Sequence, residues 1–257
     1  MADTFRNNHP DHFKEAVCIS ADRIYDSCSD KSCLSDLQVR FTDVTQPIID
    51  AATSVKCRAV SVMYCDMEVD EVPFNNGFYS VDITYYFLVE LEVLTEGSSV
   101  PQRVDGLAAY NKKVILYGSE GKTRTFCSDN EQVVERGSEA YPIACVQVAD
   151  PIVLSVKLVD SAQAGSEPYY AIPPEVAAQF EGVFLTVPGE KAVLISVGLF
   201  SILHLQRSVQ VMVPAYEFNV PDKECIFTTD DPCEIFRKIK FPTGEFFPPK
   251  LQDLPEE

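Results

Sequence analysis

Four carboxylates on one short stretch, Asp66, Glu68, Asp70 and Glu71, are the residues best spaced to do chemistry in this chain. Asp66, Glu68 and Asp70 fall on alternate positions, which puts them on one face of a strand. Asp82, Glu90 and Glu92 follow on the next strand-like run. Two carboxylates converging across a sheet can act as the acid and base of glycoside hydrolysis, and several together can hold calcium. The four are therefore the candidate metal ligands, with calcium the one cofactor in view. The plainer reading is that charge rows on exposed strands keep the protein in solution and guard edges against wrong pairing. No EF-hand loop is present.

Other chemistries fail on spacing. Val114 to Thr123 reads VILYGSEGKT, but only two residues separate Gly118 from Gly121-Lys122-Thr123, where a phosphate loop needs four. A hairpin turn at Gly118 to Gly121, leading into a strand at Lys122 to Cys127, fits better. The histidines are His9, His12 and His204, and none lies in a metal-binding or catalytic spacing. There is no Gly-x-Ser-x-Gly elbow and no His-Glu-x-x-His. The nine cysteines contain no Cys-x-x-Cys pair, so a zinc ribbon or dithiol redox centre is not supported. Cys18, Cys28, Cys33, Cys225 and Cys233 sit in polar context towards the two ends and are the candidates for cross-linking between chains. The expectation is a protein that is not an enzyme.

The elements that position these residues are mainly strands. The chain has 257 residues, 46% hydrophobic and 23% charged, which suits a globular fold with a core of its own. Cys57 to Val72 and Tyr79 to Leu94 alternate as long strands. Val104 to Tyr110, Lys113 to Tyr117, the pair Ala144 to Val148 and Ile152 to Val159, and Lys191 to Leu205 follow. Ala192 to Leu205 is too short to span a bilayer as a helix and reads as buried core. Pro214 should end the last strand. Thr45 caps a short helix with Pro47 in its first turn. His9 to Val17 reads as a short helix, Ser27 to Leu37 as a turn or a short helical turn, and Pro232 to Ile239 as a further helix.

The fold class expected is mainly β: antiparallel β-sandwich modules with a few short helices. Val104 to Tyr110 is echoed by Val209 to Tyr216, which raises duplication of one β-module. The expected organisation is an N-terminal polar segment (1–45), β-module 1 (46–140), β-module 2 (141–221), and a short helix with a Pro-rich tail (222–257). Strand aromatics such as Phe74, Phe78 and Phe200 read as core. Tyr169, Tyr170, Phe246 and Phe247 lie in loop or tail context and are the candidate subunit contacts.

Charge narrows the partners. Asp plus Glu number 39 and Lys plus Arg 21, a net charge of −18. Nucleic acid and anionic membranes need clustered Lys and Arg and are not expected. The start of the chain, MADTFRNNHPDHF, has no apolar stretch of a secretion signal, so synthesis in a cytoplasm is expected.

Several stretches together carry a family resemblance. They include Ile24-Tyr25-Asp26-Ser27-Cys28, Asp30-Lys31-Ser32-Cys33-Leu34, Val72 to Asp82, Asn111 to Gly121, Ala149-Asp150-Pro151-Ile152 and Glu245-Phe246-Phe247-Pro248-Pro249. In this order they resemble a family of proteins from spore-forming clostridia, most without an assigned function and one of them a spore coat protein. The resemblance implies synthesis in the mother cell, deposition on the spore, and partners that are further copies of the chain or other coat proteins. Some members carry a cysteine cluster in the loop matching Ser161 to Pro174, where this chain has none.

Overall fold

The computed structural model describes residues 15–121, 141–164, 170–187 and 189–215. Cys18–Val213 forms one compact unit. In chain order the elements are β1 (Glu15–Val39), α1 (Gln46–Asp50), β2 (Ala52–Glu71), β3 (Phe78–Thr95), β4 (Gln102–Tyr117), β5 (Ile143–Val148), β6 (Ile152–Asp160), a 3-10 turn (Ser161–Gln163), α2 (Pro174–Ala177) and β7 (Lys191–Ala215). They build two antiparallel sheets. One is the meander β2-β3-β4. The other is centred on β7, which pairs with β1, β5 and β6.

β3 shows why the sequence takes this form. Its odd residues from Tyr79 to Val93 are all buried, and Asp82, Thr84, Glu90 and Glu92 alternate between them. Its register with β4 runs from Phe78 opposite Tyr117 to Val93 opposite Gln102 without a slip. Those odd residues join one hydrophobic cluster with Leu34 and Leu37 of β1, Val104 and Ala108 of β4, and Ile195, Leu199 and Leu205 of β7. Both sheets thus contribute to a single core. Each large side chain buried there is worth about 1.5–3 kcal/mol before ordering costs.

β2 needs corrections to its pleat to reach the same core. Register slips between Ala52 and Ser54, Cys57 and Ala59, and Val62 and Tyr64 mark bulges, each adding a residue to one strand only. The core-facing set therefore moves from Val55 and Cys57 to Val60 and Val62, then to Cys65, Met67 and Val69. This explains why Val60 and Val62 share sequence parity with Asp66 yet face the other way.

Several sequence expectations are corrected. Residues 27–37 are not a turn, and the described part of 9–17 is not a helix: both belong to β1, whose upper half is mostly exposed. Its conformation comes from pairing with β7 rather than from local propensity. Ser20 Oγ meets Ser208 Oγ at 3.1 Å, and Asp36 N donates to Ser196 Oγ at 3.1 Å. Val104–Tyr110 and Lys113–Tyr117 are one strand, β4. β5 and β6 do not pair with each other. They lie end to end along β7, opposite Ser201–Gln206 and Lys191–Gly198. Asp150-Pro151 interrupts a strand instead of reversing it. β7 itself runs one residue beyond Pro214. The helix expected at 232–239 and the hairpin strand at 122–127 lie outside the described residues.

Two features fasten the sheets. After Val39 the chain leaves the β7 sheet and bridges β4: Arg40 N donates to Leu107 O at 2.7 Å, and Leu107 N to Arg40 O at 2.9 Å. The crossing is tight. A Cβ on Gly106 would stand 2.4 Å from Val39 Cγ1 and 2.7 Å from Phe41 Cε1. Elsewhere Arg207 of β7 reaches the end of the meander, donating from Nε to Gly118 O at 2.6 Å and from Nη2 to Tyr79 Oη at 2.9 Å. Gly106→Val should overpack the crossing and cost about 1–3 kcal/mol, read as a lowered Tm. An unchanged Tm would mean that the crossing relaxes freely.

Candidate interaction surface

The acidic row lies on the outward face of the meander. Asp66, Glu68 and Asp70 are exposed and stand opposite Thr84, Asp82 and Ser80 of β3. Asp82 in turn accepts a hydrogen bond from Asn111 Nδ2 and has Lys113 Nζ at 3.9 Å. Glu71 is the last residue of β2, opposite Tyr79. Successive outward side chains of one strand are set roughly 6.5–7 Å apart along it, so the row does not close into a cage. Among the described residues, no three His, Cys, Asp or Glu side chains are placed to share a metal ion.

One carboxylate does meet a designed partner, and it was not among the sequence candidates. Asp30 lies on the inward side of β1, 2.7 Å from Lys112 Nζ of β4, and accepts from Ser32 Oγ at 2.6 Å. Burial alone would raise its pKa. The Lys112 ammonium and the Ser32 hydroxyl outweigh that and leave it below the ordinary 3.8. The pair ties β1 to β4 beside Tyr85, whose hydroxyl donates to Ser201 Oγ at 3.4 Å. Burial raises the Tyr85 pKa.

The cysteines fall into two groups. Cys18 and Cys33 are exposed and Cys28 is half-buried against the core. Cys225 and Cys233 lie outside the described residues. Cys57 and Cys65 are half-buried from β2, and burial raises both thiols, that of Cys65 to about 11. Among the candidate subunit contacts, Tyr170 is half-buried, and its carbonyl accepts from Arg40 Nη1 at 3.1 Å. Tyr169, Phe246 and Phe247 lie outside the described residues.

The outward face of the β7 sheet differs sharply from that of the meander. Phe200 and Ile202 of β7 are 41% and 46% exposed. They are flanked by Ile143, Cys145 and Gln147 of β5, by Ile152 of β6, and by Ser29, Lys31 and Cys33 of β1. Lys31 Nζ sits 5.7 Å from the Phe200 ring centre. No Asp or Glu points outward among these central residues. Where the chain steps from β5 to β6, small side chains at Ser29 and Ala149 leave an apolar groove of about 450 Å³ over Phe200 and Ile202. Asp30 lines its inner wall, with its charge met by Lys112.

A second exposed feature is the β2–β3 loop. Asn75 N bonds Val72 O at 3.2 Å, and Phe78 N bonds Asn75 O at 3.2 Å. These are two successive turns. The residue in the third slot of each has positive φ: Phe74 at 63° and Gly77 at 79°. Glycine is the residue suited to that slot. Phe74 occupies it with its ring wholly exposed. The expectation that Phe74 and Phe200 are core is thus overturned. Pro73 before Phe74 and Asn75-Asn76-Gly77 after it are turn signals that could have placed it.

Two outcomes are expected. With its folded pKa lowered, Asp30 adds stability above pH 3.8 and loses it as pH falls through the folded value. Asp30→Asn should therefore unfold earlier than wild type near pH 7, with the gap closing in acid; a gap independent of pH would contradict this. Maleimide labelling read by peptide mass should modify Cys18 and Cys33 well before Cys65, since the thiolate is the reactive form. Equal rates would show that β2 opens freely.

Comparison with family models, with curated proteins and with solved structures finds no match to this chain, so the surface is read from its own geometry.

Proposed function

We propose that this is a non-enzymatic structural protein that self-assembles, with the β7 sheet supplying the contact face. One observation carries the reading: in a chain of net charge −18, the outward centre of that sheet exposes aromatic and aliphatic side chains and no carboxylate. Self-repulsion opposes association wherever acidic surfaces meet, and an apolar face with no carboxylate at its centre is where two copies can approach. An exposed apolar patch of this kind marks an interaction site.

The two sheets are read as the layers of one β-sandwich, since a single cluster of buried residues draws on both. Their strand orders differ, three consecutive strands in one and β1, β7, β5 and β6 in the other, so descent from one duplicated module would require rearrangement. The resemblance to clostridial proteins that include a spore coat protein supports assembly in the endospore coat, after synthesis in the mother cell. Neighbours there would be further copies and other coat proteins, with neither nucleic acid nor membrane among the partners.

The acidic outward face of the meander favours one second reading, a binding module for calcium or a basic partner. Calorimetry with calcium tests it, and a flat titration removes the calcium form.

Light scattering after size exclusion tests the first reading. Particles well above 28.6 kDa should persist in reductant, and Ile202→Glu, which sets a carboxylate in the face, should dissolve them. A monomer in every condition overturns self-assembly. Particles that dissolve only on reduction overturn the sheet face as their cause.

A further inference from the structure

Resting on that reading, we propose that the contact is head to tail: Phe74 of one copy inserts into the groove over Phe200 and Ile202 of the next. Phe74 is a bulky residue held at φ 63°, in a turn slot that the neighbouring turn gives to Gly77. Such a conformation is an outlier for a large side chain, and strain of this kind gathers at functional sites. The ring is wholly exposed, and among the described residues none packs on it to repay the strain. A projecting aromatic on a tight turn is the form of an interface anchor.

The groove is its counterpart. Val148, Ala149, Phe200 and Ile202 form the apolar half of its lining, with Asp30 among the polar half, and its volume of about 450 Å³ leaves room for a phenyl ring with part of its turn. Charge agrees. Asp70 and Glu120 are exposed near the turn that presents Phe74, and Lys31 stands beside Phe200 at the groove. The acidic tip thus meets a cation at a centre that carries no outward carboxylate, and Asp36, further along β1, has its charge met by Lys157 at 2.7 Å. Two tips would repel each other, which disfavours a symmetric tip-to-tip contact. Used in one direction only, as a head-to-tail contact is, this pairing is heterologous, whereas a reciprocal pair with each knob in the other's groove would stop at twice the chain mass and overturn it. The one-way contact leaves a free knob at one end and a free groove at the other, so it closes into a ring or continues as a filament.

Complementary variants test this. Phe74→Ala removes the knob and keeps the groove, and Ile202→Glu spoils the groove and keeps the knob. Both changes are on exposed side chains, and unchanged far-UV circular dichroism and melting would confirm folding. Each variant alone should be monomeric by sedimentation, with association weakened by about tenfold or more. An equimolar mixture should form a one-to-one pair of twice the chain mass that grows no further. If wild type assembles and Phe74→Ala assembles equally well, the head-to-tail contact is wrong while self-assembly stands. If both variants are monomeric yet the mixture forms no pair, the knob and groove do not meet, which also overturns the proposal. If wild type is monomeric throughout, self-assembly itself fails.

Discussion

The single buried core that both sheets contribute to admits one parity of side chains from each strand, and the rest of the structure follows from obeying it. β3 sets the rule with eight buried odd residues in unbroken alternation. Strands whose sequence would break the rule are corrected by local irregularity. β2 slips three times and β6 once, between Val153 and Ser155. In β1, Asp36 takes φ 53°, and the buried positions shift from Leu34 to Leu37 and Val39. A one-residue slip left uncorrected would turn apolar side chains to water. The bulges are thus part of what makes one core possible.

The same rule sorts what faces outward. The meander presents carboxylates with scattered Lys and Arg, among them Arg58 at 3.4 Å from Glu90. Its outer surface is partly covered by the segment around α2, where Tyr86 packs with Leu107 and Val176 and donates to Ala171 O at 2.8 Å. The β7 sheet presents Phe200, Ile202 and Ile143 without such a cover among the described residues. A protein with this asymmetry is amphipathic at the level of whole sheets. The unlike faces, more than any single residue, support the structural reading.

Sequence made the central elements legible where one periodicity ran long enough. β3, the apolar half of β7, and α1 with Pro47 in its first turn were readable from pattern alone, whereas Thr45 makes no side-chain cap bond and accepts from Thr42 N at 3.0 Å instead. β1 was not: Ser, Asp and Cys crowd it, few of its residues are buried, and its partner lies at the far end of the sequence. The end-to-end placement of β5 and β6 was hidden because Asp150-Pro151 signals a break and says nothing about direction. The acidic row was easy to find and does not converge. Asp30 and Phe74, the residues with the more telling surroundings, looked ordinary because tertiary contact or a backbone angle gives them meaning.

Pairing the first described strand with the last described one has a cost in time. Ser20 meets a residue 188 positions later, and Asp36 one 160 positions later. At about 5–20 residues per second of synthesis, the meander is complete on the order of five to twenty seconds before β7 is. Through that interval β1 has no ladder to join, and its Ser- and Asp-rich sequence keeps it hydrated. A strand that reads poorly as a strand is one that can wait on the ribosome without sticking to its neighbours. The apolar burden of the late sheet is carried instead by β7, which arrives when its partners are already made.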